Sequence, residues 1–246
     1  MNRQEYEVMF NAEEAHWWYL GMATITRAVL ECWFQPGATL QILDAGCGTG
    51  AAMTTYLSVY GEVTGIDASN VALSFCTKRQ ATKISCASIT NLPFPSYHFN
   101  LITSFDVLYY ANDDRIPIAE FYRSLVSGGR LLLRLPAYNW LRGQHDKAVH
   151  IQRRYTAKQI SKMLREAGFN VELISYANMF LFPFVLIKRI SDRIVPSRAE
   201  HSDLTLNSQP INKFLTSILA QEAPIITKRG LPFGSSVFAV ARKPLE

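Results

Sequence analysis

The segment Ile42-Leu43-Asp44-Ala45-Gly46-Cys47-Gly48-Thr49-Gly50 constrains this chain more than any other. An apolar pair ends in an acid, and glycines then fall at every second position. The apolar part reads as the end of a buried parallel strand. The glycines read as a tight turn where the backbone approaches a ligand with no Cβ in the way. Ala51-Ala52-Met53-Thr54-Thr55-Tyr56-Leu57 then reads as a helix. Strand, glycine turn and helix form the nucleotide-binding corner of an open α/β sheet, at the carboxyl end of its first strand.

Two ligand classes compete for such a corner. Gly46-x-Gly48-x-x-Ala51 fits the dinucleotide fingerprint, and Asp67 stands where the ribose-binding acid belongs, as in a nicotinamide-dependent oxidoreductase. Asp44 argues against that reading. It faces the place where a pyrophosphate would lie, and an anion beside an anion is unfavourable. An acid there suits a ligand that carries positive charge. No second catalytic domain for a hydride acceptor is evident either.

The chain resembles the class I S-adenosylmethionine-dependent methyltransferases of small molecules. Ile42–Gly50 is similar to their first motif, and Gly65-Ile66-Asp67-Ala68-Ser69 to the end of their second strand. Ser88-Ile89-Thr90-Asn91-Leu92-Pro93-Phe94 resembles the loop after their third strand. Phe99–Leu108 resembles their fourth strand and the loop under the sulfonium, and Leu125–Leu133 the turn into their fifth. The resemblance spans residues 38 to 176. It implies S-adenosylmethionine as cofactor, with Asp44, Gly46, Cys47, Gly48 and Gly50 at its methionine end. It implies Asp67, Ala68 and Ser69 at the ribose, Ser88 and Ile89 at the adenine, and Phe105 beneath the sulfonium. In similar enzymes the N-terminal helices cover the cofactor, which makes Trp18 and Tyr19 candidates to close over it. The family usually has Asp where this chain has Ser88, so the adenine contact here lacks a charge. A protein that kept the fold and lost turnover, serving as a binding scaffold, is the rival reading.

Strands are expected at 40–44, 62–66, 83–86, 99–104, 130–135, 170–176 and 236–242, and helices at 50–58, 69–79, 114–126 and 157–167. Asp113 or Asp114 is a cap for the third helix, and Gly128-Gly129 a stop. Thr156-x-x-Gln159 reads as a capping box and Gly168 as a C-terminal cap. This alternation predicts an α/β fold: a Rossmann-like, doubly wound, mostly parallel seven-stranded sheet. Three units are expected: an N-terminal helical lid (1–37), a core (38–176 and 233–246), and a helical cap inserted before the last strand (177–232).

The insertion is far longer than an ordinary connection. Phe184, Ile187, Ile190 and Ile194 share one helical face with Lys188, Arg189 and Arg193 off it. Ile211, Phe214, Leu215, Ile218 and Leu219 make a second stripe. Three readings stand: a cap burying both stripes, an apolar tunnel for a hydrophobic or lipid-like substrate, or peripheral membrane contact through 179–194. After strand five, the stretch 136–155 concentrates His145, Asp146, His150, Arg153, Arg154 and Tyr155. His145, His150 and Tyr155 are candidate catalytic groups, a histidine being suited to general-base work. Arg153 and Arg154 suit a phosphate or carboxylate, or pairing with local acids. His145, Asp146 and His150 match no strong metal-ligand spacing, so no metal is expected.

Net charge is +5, and no dense basic tract appears. The Asn-Pro-Pro-aromatic signature of amino-methylating nucleic-acid enzymes is absent, with Ser104-Phe105-Asp106-Val107 in its place, so no nucleic-acid partner is expected. The four cysteines form no C-x-x-C pair and read as reduced, mostly buried thiols. The N-terminus has no basic region leading into an apolar core, and the longest apolar run, Met179–Ile187, holds Pro183 and is too short to cross a bilayer. A cytoplasmic protein, free or peripheral to a membrane, is the expectation. Oligomeric state and the acceptor atom are not legible.

Overall fold

The computed structural model describes residues 3–143, 146, 151–194 and 208–245, with 192–194 described by backbone alone. Seven strands form one sheet: β1 (Leu40–Ala45), β2 (Gly61–Asp67), β3 (Ile84–Cys86), β4 (Phe99–Phe105), β5 (Leu125–Pro136), β6 (Asn170–Ala177) and β7 (Ser236–Arg242). Their order is β3-β2-β1-β4-β5-β7-β6. All neighbours run parallel except β7, which is antiparallel to both β5 and β6. The fold is therefore the expected mostly parallel, doubly wound α/β sheet.

Both faces of the sheet are buried, and successive residues serve opposite cores. Leu43, Ile102, Leu131 and Leu133 pack under α5 (Arg115–Ser124) and α6 (Ala157–Glu166), through Ile118, Phe121, Ile160 and Leu164. Ile42, Leu101, Leu132 and Phe238 pack on the other face against α2 (Trp17–Leu30), α8 (Gln209–Ala220) and α9 (Ala223–Arg229). The N-terminal segment and the insertion thus share one helix layer. Gly21 of α2 allows this, because a Cβ there would sit 2.6 Å from the Leu219 side chain of α8. The remaining helices named among the described residues are α1 (Arg3–Ala12), α3 (Ala51–Thr55), α4 (Asn70–Lys78) and α7 (Phe182–Ile194).

Local chemistry explains where the elements depart from expectation. The helix expected at 50–58 stops at Thr55. The hydroxyls of Thr54 and Thr55 donate back to the carbonyls of Gly50 (3.2 Å) and Ala51 (2.6 Å), and Tyr56 leaves the helical region, with a 3-10 turn following at Leu57–Val59. The helix expected to run to 126 ends at Ser124, and Gly128-Gly129 lies inside β5. Leu125 pairs with Phe99, after which the register jumps to Arg130 opposite Leu101, with Gly128 at φ +78° in the bulge. At the start of α5 it is Asp113 whose carboxylate accepts from the Arg115 amide (3.0 Å), while Asp114 makes no capping bond. The α6 capping box forms in both directions, and Gly168 follows at φ +93°. Both amphipathic stripes of the insertion lie on helices, but Phe184, Ile187 and Ile190 of α7 and Ile211 and Phe214 of α8 are exposed, so a cap that buries both stripes is not what forms. Ile194 and Arg193 have no described side chain, and 195–207 lie outside the described residues.

Candidate functional site

A cavity of about 1190 Å³ opens at the carboxyl ends of β1, β2, β4 and β5. Its floor is the glycine turn. Gly46 and Gly48 take φ +85° and +56°, values that disfavour other residues. A Cβ on Gly46 would lie 2.3 Å from the Val107 side chain. Gly50, at φ +84°, faces Cys76 and does not line the cavity.

Asp44 closes β1 at 1% exposure. Thr103 Oγ1 donates to its Oδ1 (2.9 Å), while Oδ2 is buried with no hydrogen-bond partner. Burial pushes its pKa up to about 7, against the opposing pull of the Thr103 bond and the Arg134 charge. Asp67 closes β2. It accepts from the amides of Gly48 (3.1 Å) and Ser69 (2.9 Å), and burial also raises its pKa. Ser69 caps α4 by accepting from Ala72. Ala68, Ser88, Ile89 and Phe105 line the cavity, Ser88 exposed and bonded to Thr90 Oγ1 (2.7 Å), Ile89 buried. Trp18 and Tyr19 line it from α2, and burial drives the Tyr19 phenol far above its ordinary pKa. Cys47 Sγ lies 3.8 Å from Cys76 Sγ. That contact and burial push the Cys47 thiol strongly upward, so it is an inert filler of the turn. Cys47 and Cys76 are buried, whereas Cys32 and Cys86 are exposed.

The segment after β5 corrects the catalytic assignment. Tyr155 is buried in the core, pairs by backbone with Pro136 and Tyr138, and does not line the cavity. Its phenol faces Asp114, and burial raises its pKa well above the usual value, so it is no general base for a cavity ligand. His145 and His150 lie outside the described residues. Arg154 and Asp146 form a buried two-point pair (2.6 and 3.0 Å), with Arg154 also donating to the Ala137 carbonyl. Arg153 pairs with Asp114 (3.1 Å) and donates to the carbonyls of Ala111 and Asn112. Both arginines are thereby committed to local partners. Among the described residues, no group of three or more His, Cys, Asp or Glu side chains is placed to hold a metal.

Several lining residues carry no motif. Arg134 is a charged residue inside Leu131-Leu132-Leu133-Arg134-Leu135, a signal readable as a buried charge in an apolar strand. Its guanidinium bonds Asp106 (2.8 Å) and lies 4.9 Å from the ring centres of Trp18 and Phe105. His16 lines the cavity, accepts from the Trp18 amide at Nδ1 (3.2 Å), and has its pKa lowered by burial, which keeps it neutral.

Arg79 and Glu13 tie the N-terminal helices to the glycine turn. Arg79 donates to the Thr49 carbonyl (3.1 Å), the Phe10 carbonyl (2.7 Å) and Glu13 (3.2 Å), pairs with Glu14, and lies 4.2 Å over the Phe10 ring. Thr49 Oγ1 donates to Glu13, whose pKa burial raises to about 7. Arg79→Met should leave Glu13 buried without its cationic partner, held by the Thr49 hydroxyl alone, a loss of about 3–5 kcal/mol. Hydrogen exchange in residues 3–20 should then accelerate at least about tenfold, with α6 unchanged. Equal protection in both proteins would show that the latch does not hold the N-terminal helices.

The polar groups present fit S-adenosylmethionine: a buried carboxylate oxygen without a partner for a cationic group, a second acid one strand over, and a turn of bare backbone between them.

Comparison with known proteins agrees. A sequence profile described as a methyltransferase domain matches residues 43–133. The chain is 25% identical over 164 residues to a probable S-adenosylmethionine-dependent methyltransferase of Mycolicibacterium smegmatis, covering 65% of this chain and 62% of that protein. It is 28% identical over 172 residues to phosphoethanolamine N-methyltransferase 3 of Arabidopsis thaliana, covering 65% of this chain and 34% of that one. The chain therefore spans less than two thirds of either relative. In fold, it superposes on an S-adenosylmethionine-dependent methyltransferase of Thermotoga maritima with a TM-score of 0.60, at 15% identity over 98% of this chain and 95% of that one. Motifs, sheet, cleft and relatives converge: residues 43–133 match a methyltransferase domain, and the fold is that of class I S-adenosylmethionine-dependent methyltransferases.

Proposed function

We propose that the protein transfers a methyl group from S-adenosylmethionine to a small, apolar or lipid-like acceptor held in the same cavity. The observation that carries the cofactor half is Asp44, whose buried Oδ2 has no partner beside the glycine turn. A ligand that brings no cationic or hydrogen-bond-donating group would leave that oxygen unsatisfied, at about 1–3 kcal/mol. When bound, the cofactor supplies an electrophilic methyl on a sulfonium.

The chain's own residues bind, align and exclude water. Asp44 and Asp67 offer acceptors at the two strand tips. Trp18 and Tyr19 cover the cleft from α2, so the acceptor and methyl are aligned away from bulk water. The acceptor half is supported by Leu20, Ala23, Leu141, Ile151 and Val185, apolar residues of a lining that also carries Arg154, Asn178 and Arg189. His16 also lines the cavity, its pKa lowered by burial.

Isothermal titration with S-adenosylmethionine tests the cofactor. Ser88→Asp restores the charge that the family usually places by the adenine, and should tighten binding several-fold, since a charge-assisted bond is roughly twice as strong as a neutral one. No heat with the unaltered protein at high concentration would instead favour a scaffold that has lost the cofactor. The acceptor class is tested by S-adenosylhomocysteine formation with matched water-soluble and membrane-partitioned acceptors. Turnover confined to the soluble set would overturn the apolar assignment.

A further inference from the structure

We infer that the outer face of α7, with the aromatic rim beside it, seats the protein on an anionic bilayer surface. The patch gathers exposed apolar side chains from α7 and the two segments beside it. Phe184, Ile187 and Ile190 of α7 are 69%, 64% and 48% exposed, and Trp140 and Phe233 are 49% and 43% exposed. Ring contacts join the elements: Trp140 meets Phe182 at 6.1 Å, and Phe182 meets Phe233 at 5.5 Å. Exposed apolar groups gathered in this way mark a surface that is covered in use.

Three observations select a bilayer as the occupant. The first is charge. Residues 182–194 carry Lys188, Arg189 and Arg193 against Asp192 alone, Arg189 turning into the cavity lining beside Gly143, and the whole chain has net charge +5. Basic residues beside an apolar helix face are the pattern of helices that lie in the headgroup region of anionic membranes. The second is side-chain type. Trp and Phe dominate the rim, and aromatic rings favour the boundary between headgroup and acyl chain. The third is position. Every patch element borders the cavity: Trp140 adjoins Leu141, Phe184 adjoins Val185, and Phe233 lies two residues before Ser235, all three neighbours being cavity-lining. A protein seated there would sit against the entrance, whereas a bilayer would deliver an apolar acceptor to it. Among the described residues no helix is long and apolar enough to cross a membrane, so α7 lies on the surface.

This deepens the proposed acceptor class and rests on it only for the route of the acceptor. Surface binding itself is independent of methyl transfer. The test is cosedimentation of the full chain with vesicles of phosphatidylglycerol and phosphatidylcholine, against vesicles of phosphatidylcholine alone. The unaltered protein should partition onto the anionic vesicles, and added salt should reduce this. Phe184→Asp with Ile187→Asp should weaken partitioning at least about tenfold, since each charge enters the apolar interface. Titration with S-adenosylmethionine should give the same Kd in both proteins, because neither residue lines the cavity. No partitioning onto anionic vesicles, or partitioning that the double substitution leaves intact, overturns the inference. So does a dimer in size-exclusion chromatography that the double variant converts to monomer without vesicle binding, since the face would then cover a second copy. Vesicle binding without cofactor binding would instead overturn the methyltransferase assignment and leave the surface standing.

Discussion

Asp44→Asn is expected to stabilise the ligand-free protein and to cripple its hold on S-adenosylmethionine. The carboxyl is buried, and its pKa rises from 3.8 to about 7. A folded-state pKa above the unfolded one means that the group's stabilising contribution is complete below pH 3.8 and is lost as the pH climbs through 7. At pH 8 the ionised form weakens the fold by about 4 kcal/mol. Asparagine keeps an acceptor for Thr103 and removes the ionisation, at the cost of amide hydrogens left without acceptors. A net gain of roughly 2 kcal/mol corresponds to about 4–8 °C in a chain of this size. Calorimetry should show this gain at pH 8 and its disappearance at pH 4. Glu13, shifted to a similar value, keeps its own pH slope in the variant. Affinity for the cofactor moves the other way. A cationic ligand prefers the ionised carboxylate, so binding to the unaltered protein should strengthen as pH rises through 7, and the variant should lose at least about tenfold with no such dependence. A variant that binds as tightly as the parent would remove Asp44 from the site.

Glu222→Ala should be the most destabilising single change among the described residues of the insertion. The carboxylate is fully buried and accepts from the amides of Asn178 (2.6 Å) and Phe180 (2.8 Å), the turn that leads from β6 into α7. Asn178 takes φ +61° there, a conformation that needs outside support. Removing the side chain strands buried amides and leaves a void, a loss of about 3–5 kcal/mol in urea unfolding. Glu222→Gln, which retains one carbonyl acceptor, should lose about 1–2 kcal/mol. An alanine variant as stable as the parent would mean that the turn holds itself.

The glycine turn, Asp44 and Asp67 are legible in the sequence because they are local: adjacent residues specify strand, turn and helix together. The α6 capping box is legible for the same reason. Arg79 and Glu13 are not, since a latch between residues 66 positions apart leaves no periodic trace. Glu222 is hidden likewise, its partners lying 44 and 42 positions upstream. The segment 136–155 is chemically rich, yet Arg153 and Arg154 spend their donors on Asp114, Asp146 and nearby carbonyls. Composition alone does not distinguish a ligand-binding arginine from one already satisfied. The extent of α7 follows from its stripe, whereas its exposure depends on what the rest of the chain places opposite it.

The antiparallel strand β7 has a consequence for biosynthesis. It is the last of the seven to leave the ribosome, yet it slots between β5 and β6. Until residue 242 emerges, two long hydrogen-bonding edges stay open, with the whole insertion already made and waiting beside them. Sheet closure is therefore a single late event that joins β5 to a strand beginning 100 positions further on, at Ser236, the kind of step that is slow and prone to mispairing. Helpers that shield nascent strands should matter more for this protein than its modest size suggests.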